Sequence, residues 1–240
     1  RPSGKYVLIR VNGLYSAELE EDLEASVRAR PDALRLPKVE RAEEVRRIDA
    51  RVTEIEVEAG IPQGTIELWC NIESALGVAN ACEIATASPR VTALALGAED
   101  YTASMGARRS KAGWEIFYAR MRVLEACRLA GISAQDAVFS DIDDLEGLQK
   151  DLELARDLGF DGKTVIHPRQ IDLVNRAFTP TQKEIRQAER VLAALEEGAR
   201  SHTGVVVLDG SMVDKPMERR ARDVLARAAA AGIQIGGDRA

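Results

Sequence analysis

Six short apolar runs recur along this chain at intervals of roughly 25 to 45 residues, and each but the last leads into a stretch with helical spacing. They lie at residues 6–11, 33–37, 66–72, 91–97, 136–140 and 163–166. Helices are expected at 18–28, 42–59, 75–87, 114–129 and 145–158, the one at 114–129 with an apolar stripe of Ile116, Phe117, Met121, Leu124 and Cys127. Strand and helix in such alternation build a parallel sheet through right-handed crossovers. The series fits an α/β TIM (β/α)8 barrel that lacks its first βα units here; an open doubly wound sheet is the alternative. No GxGxxG follows any of the runs, which counts against dinucleotide binding. The tail differs in kind. One long helix is expected at 179–199, then a short apolar run at 205–208, a turn at Asp209-Gly210 and an Arg-rich helix after Asp214. We therefore expect a catalytic barrel domain at 1–178, and at 179–240 C-terminal helices with a flap that reaches a neighbouring subunit. Because the first residue is Arg1 and an apolar run begins within a few positions, part of the natural chain is expected to precede it.

Two carboxylates stand just past neighbouring runs. Glu73 follows Leu68-Trp69-Cys70-Asn71-Ile72, and Asp100 follows Val91 to Gly97. In a βαβ unit the ends of both strands emerge at one edge of the sheet, so acids 27 positions apart, 73 to 100, become neighbours in space. Paired carboxylates at that edge are a hard-oxygen seat for Mg²⁺, which keeps waters free for exchange with substrate. The alternative is that each acid caps the helix after its strand. Arg10 interrupts the first run, where a guanidinium is costly unless it meets an anion, either a carboxylate of the fold or a bound one. Lys38 and Glu40 sit at the end of the second run. Arg108 and Arg109 lie in a Gly-bearing loop that either is solvated or pairs with phosphates. Gly162-Lys163-Thr164 imitates the end of a phosphate-binding loop, yet Asp157 stands where the first glycine belongs and the lysine opens a strand.

Composition removes several classes of function. A net charge of -6 without a Lys/Arg block disfavours nucleic-acid or anionic-membrane partners. Two histidines and three isolated cysteines give little material for a Ser-His-Asp, zinc-thiolate or disulfide scheme. No apolar run is long enough to span a bilayer, and a soluble, cytoplasmic protein is expected.

Taken together, several stretches resemble one family. They are Ile9-Arg10-Val11-Asn12, Leu36-Pro37-Lys38-Val39-Glu40, Ile72-Glu73-Ser74-Ala75, Leu96-Gly97-Ala98-Glu99-Asp100-Tyr101, Gly159-Phe160-Asp161-Gly162-Lys163 with Ile166-His167-Pro168, and Asp209-Gly210-Ser211-Met212-Val213-Asp214-Lys215-Pro216. These are similar to the citrate lyase β-subunit-like branch of the HpcH/HpaI aldolase superfamily, over nearly the whole chain. The resemblance implies a Mg²⁺-dependent TIM barrel, usually a homotrimer, acting on acyl-CoA or acyl-carrier thioesters and a small 2-keto acid. It implies that Glu73 and Asp100 hold the metal and that Arg10 contacts the keto acid and thioester oxygen. Asp214 corresponds to the flap aspartate that serves an adjacent subunit's site; a helix cap before Lys215-Pro216 is its other reading. Arg10, Asn12, Lys38, Glu40, Ala98 and Glu99 are the expected substrate contacts. The family's first two strands have no counterpart here. The implied reaction is cleavage or formation of malyl-, citramalyl- or citryl-CoA, giving acetyl-CoA and a 2-keto acid. Alternatives are a malyl-CoA thioesterase on the same residues, a class II 2-keto acid aldolase, and a non-catalytic scaffold or binding subunit.

Overall fold

Six strands lie side by side in a computed structural model that describes residues 5–200 and 206–233. They are β1 (Leu8–Arg10), β2 (Ala33–Leu36), β3 (Glu67–Ile72), β4 (Val91–Leu96), β5 (Ser133–Asp136) and β6 (Gly162–Lys163). All neighbours pair in parallel, in the order in which they occur in the chain. Successive side chains of a strand point to opposite faces. On β3 this sends Leu68, Cys70 and Ile72, all fully buried, to the face opposite Trp69, Asn71 and the following Glu73.

The sheet is strongly curled. Four strand spacings of about 4.8 Å would hold β2 and β6 about 19 Å apart in a flat sheet. Instead Arg35 on β2 donates from Nη2 to the Thr164 hydroxyl, just past β6, at 3.2 Å. The result is a parallel half-barrel with its concave face inward.

Helices α1 (Leu19–Arg28), α2 (Ala42–Glu58), α3 (Ala75–Ala79), α4 (Ala81–Ala85), α5 (Ala98–Ser104), α6 (Trp114–Ala130) and α7 (Leu145–Leu158) fill the connections. On α2 the spacing of Val45, Ile48, Val52 and Ile55 makes one buried stripe. Gly131 and Gly159, both at positive φ, end α6 and α7 as side-chain-bearing residues could do only under strain.

Four local expectations are corrected. The helix expected over 75–87 is broken at Asn80, whose side chain leaves the helical pattern to donate to the Glu40 carbonyl at 2.8 Å. Asp100 lies in the first turn of α5, whose N-cap is Gly97, so it does not take the capping position that was its alternative reading. The fifth strand ends, rather than starts, at Asp136: the polar Ser133-Ala134-Gln135-Asp136 pairs with β4 and β6, so pairing overrides an apolar pattern. Met121 on α6 is exposed while Ile116, Leu124 and Cys127 are buried.

Contacts divide the chain into two compact units, Arg1–Ile171 and Asp172–Ala240. In the second, helix α8 (Ile171–Phe178) precedes α9 (Gln182–Arg200), and α10 (Lys215–Ala230) follows a hairpin of β7 (Val206–Leu208) and β8 (Ser211–Val213). The hairpin turns on Asp209 and Gly210, both at positive φ, the combination a two-residue turn between right-twisted strands requires. Ala188, Val191, Val213 and Ala221 form the buried centre of this unit. Among the described residues, no helix is long and apolar enough to cross a membrane.

Candidate active site

The carboxyl edge of the half-barrel is hollow. A cleft of about 360 Å³ there is lined by Glu73 and Asp100, the two acids expected at one edge, and by Arg10, Ala98 and Glu99, expected as substrate contacts. Arg35, Asn71, Gly97 and Thr164 line it too, and the sequence reading assigned them nothing. Lys38 joins through an ion pair with Asp100 at 2.9 Å. Its backbone is left-handed, φ 50°, a conformation that costs a side-chain-bearing residue about 1 kcal/mol or more. Asn12 and Glu40 do not line the cleft. The exposed Asn12 donates its N–H to Asp22 at 2.8 Å, and Glu40 accepts the Ser74 hydroxyl at 2.6 Å.

Glu73 is the most constrained of these groups. Its carboxyl is buried, and Oε1 accepts a hydrogen bond from Asn71 Nδ2 at 2.6 Å. Burial pushes its pKa above the ordinary value; the Asn71 bond opposes this, and the nearby Asp100 charge adds to it. Gly97 makes the position accessible at all, since a Cβ there would lie 2.5 Å from Glu73 Cγ. Next to it, Asn71 Oδ1 accepts from Arg35 Nε at 2.7 Å, so a chain of contacts runs from Thr164 through Arg35 and Asn71 to Glu73.

The donor chemistry fits a hard cation. Of the three carboxylates that line the cleft, Glu99 pairs with Arg109, while Glu73 is buried with an oxygen that has no partner among the described residues and feels the charge of Asp100. Among the described residues there is no cluster of three or more His, Cys, Asp or Glu side chains that could enclose a metal, as zinc would need. Mg²⁺ asks for less, taking one or two carboxylates and filling its other positions with water and substrate oxygens.

Elsewhere, the structure gives the other singled-out residues local partners. Arg109 pairs with Glu99 at 3.2 Å and with Glu115 at 2.5 Å. Lys163 is buried between Asp136 at 2.7 Å and Asp151 at 2.6 Å, which rules out a phosphate-binding role for its amine. Asp214, in the second unit, accepts from the Met217 N–H at 3.2 Å and caps α10. Arg35 carried a signal that was in plain view: like Arg10 it is a cation inside an apolar strand, and the two are register partners on neighbouring strands.

Comparison with known proteins agrees with this architecture. A family model described as HpcH/HpaI aldolase/citrate lyase matches residues 2–168. The citrate lyase subunit beta of Leuconostoc mesenteroides subsp. cremoris is 46% identical over 219 residues, which is 91% of this chain and 72% of that protein. A (3S)-malyl-CoA thioesterase of Cereibacter sphaeroides is 37% identical over 226 residues, covering 94% of this chain and 75% of its own. Among solved structures, protein CitE from Mycobacterium tuberculosis, in complex with magnesium, acetoacetate and coenzyme A, matches with a TM-score of 0.71 at 34% identity. The match covers 92% of this chain and 78% of that one.

Proposed function

Since the chain belongs to the HpcH/HpaI aldolase/citrate lyase family and is a lyase of the citrate lyase β-subunit-like kind, we propose that it cleaves a citryl-type β-hydroxyacyl thioester into an acetyl thioester and a 2-oxo acid. One observation carries the reading: Glu73, Asp100 and Arg10, from three different strand ends, line a single cleft.

Glu73 and Asp100 would hold Mg²⁺. When bound, the ion supplies Lewis-acid polarisation and a template for the oxygens of the oxo acid. The remaining chemistry falls to side chains. The substrate's hydroxyl proton passes to water in the open cleft, and the bond between its carbinol carbon and the thioester α-carbon breaks. The electron pair passes into the thioester enolate, whose oxygen Arg10 stabilises as charge grows there; such preorganised donors are worth about 2.7–4 kcal/mol each. Asp214 of an adjacent subunit returns a proton to the α-carbon, a role worth about 10²- to 10⁴-fold in rate. Asn71 fixes the Glu73 carboxyl, and Lys38 fixes Asp100. In the same reading the half-barrel is part of a closed eight-stranded ring, and the second unit serves a neighbouring copy of a homo-oligomer.

The test is to incubate full-length protein with Mg²⁺ and citryl, malyl and citramalyl thioesters, measuring oxo acid and free CoA separately. Oxo acid appearing with acetyl-CoA supports the lyase; Asp214→Asn retaining full turnover would make that residue a cap alone. The 37% identical thioesterase favours a second reading, in which the acyl group passes to water. Free CoA and hydroxy acid, without oxo acid, is its signature.

A further inference from the structure

Arg35 is a cation of the cleft wall whose charge the fold does not answer. Its hydrogen bonds go to the neutral Asn71 at 2.7 Å and Thr164 at 3.2 Å, and among the described residues it has no carboxylate within ion-pair distance. The two arginines buried more deeply are treated differently. Arg90 reaches Asp49 and Glu56, and Arg120 reaches Asp136 and Asp151, each at 2.9 Å or less. Burial lowers the pKa of Arg35, and neighbouring Arg10 adds to that despite the Glu73 charge; even so a guanidinium stays protonated at any ordinary pH. An ionised fork with spare donors, half-buried in a cleft, is a seat for an external anion, and carboxylate geometry matches it in two-point fashion.

Arg10 and Arg35 are adjacent in register, Arg10↔Arg35, so the cleft presents two guanidiniums side by side. One suffices for the thioester or the first carboxylate of an oxo acid. We propose that Arg35 is a specificity-determining residue that holds the distal carboxylate of a dicarboxylic 2-oxo acid. The site then takes the thioester of a tricarboxylic hydroxy acid, and not those that yield glyoxylate or pyruvate, which have no second carboxylate. The inference rests on the lyase reading given above and sharpens it.

The test is direct binding of oxaloacetate and of pyruvate to the full-length protein with Mg²⁺, by calorimetry, alongside cleavage of citryl and citramalyl thioesters. Wild type should prefer oxaloacetate by about 10- to 100-fold, the range for a charge-assisted hydrogen-bonded pair. Arg35→Gln should weaken oxaloacetate about 10- to 100-fold more than it weakens pyruvate, and Arg35→Lys should restore part of the preference. Equal weakening of both acids, or no weakening of either, overturns the assignment. Should Arg35→Gln fail to fold, Arg35→Lys and wild type decide: a wild type indifferent between the two acids, or a lysine variant with undiminished preference, overturns it equally. A wild type that binds neither acid and cleaves no thioester instead brings down the lyase reading itself.

Discussion

At the amino-terminal edge of the sheet, Arg90 donates to Asp49 at 2.6 Å, to Glu56 at 2.6 and 3.0 Å, to the Thr53 hydroxyl at 2.8 Å and to the Ile66 carbonyl at 3.0 Å. At the carboxyl edge, Arg35 and Arg10 meet no carboxylate among the described residues, and the buried Glu73 has a single hydrogen bond. The two edges are built from the same residue types, with Arg90 buried, Arg35 half-buried and Arg10 exposed. What differs is completion: one network satisfies its members, while the other leaves donors, acceptors and charge for something that is not protein. The first is built for stability, and the second keeps the open donors and acceptors that a site at the carboxyl end of a parallel βα fold requires.

Breaking the completed edge should have the largest effect. Arg90→Met strands two carboxylates, one of them fully buried, and should lower unfolding free energy by about 3–5 kcal/mol, read from urea denaturation. Glu73→Gln, in the incomplete edge, should reduce Mg²⁺-dependent turnover at least about 10²-fold while the protein stays folded, because the amide still accepts from Asn71. A Glu73→Gln variant that unfolds would erase the contrast. Gly97→Ala should be intermediate, since its methyl must push Glu73 aside; we expect about 1–3 kcal/mol of stability lost and weaker Mg²⁺ binding by calorimetry.

The smallest effect, and the sharpest, is in pH. Burial alone would raise the Glu56 carboxyl, but Arg90 and the Ile66 and Gly64 amides hold it below the usual range. Its stabilisation is therefore present above the ordinary carboxylate pKa and lost as pH falls through the depressed folded value. Glu73 is raised, so its contribution is present below the ordinary value and lost as pH rises through the folded one. Between pH 4 and pH 7, without divalent cations, the stability penalty of Glu56→Gln should grow. Over the same interval Glu73→Gln should gain on wild type. Parallel behaviour of the two variants would show that both carboxylates are structural.

Much of this was legible in the chain. The alternation of apolar runs and helical stretches locates five of the six strands, and the edge rule brings Glu73 to the cleft that Asp100 also lines, because parallel strands export their ends in one direction. Asp136 was misjudged because apolar pattern was weighed above strand pairing, and its burial depends on Arg120 and Lys163, distant in sequence. Arg35 was passed over although its setting, Ala-Leu-Arg-Leu, repeats the cue that singled out Arg10. Asn71 and Thr164 carried no cue, since a neutral amide and a hydroxyl gain meaning only once the curl of the sheet brings β2 opposite β6.

Arg120 and Lys163 each touch both Asp136 and Asp151, so the four side chains close a loop with no loose end. Lys163 immediately precedes Thr164, which braces the Arg35 fork. A substitution at Asp151, on an outer helix, would strand the buried Arg120 and Lys163 charges, so a change far from the cleft should be felt first as lost folding and only then through Thr164 at the Arg35 fork.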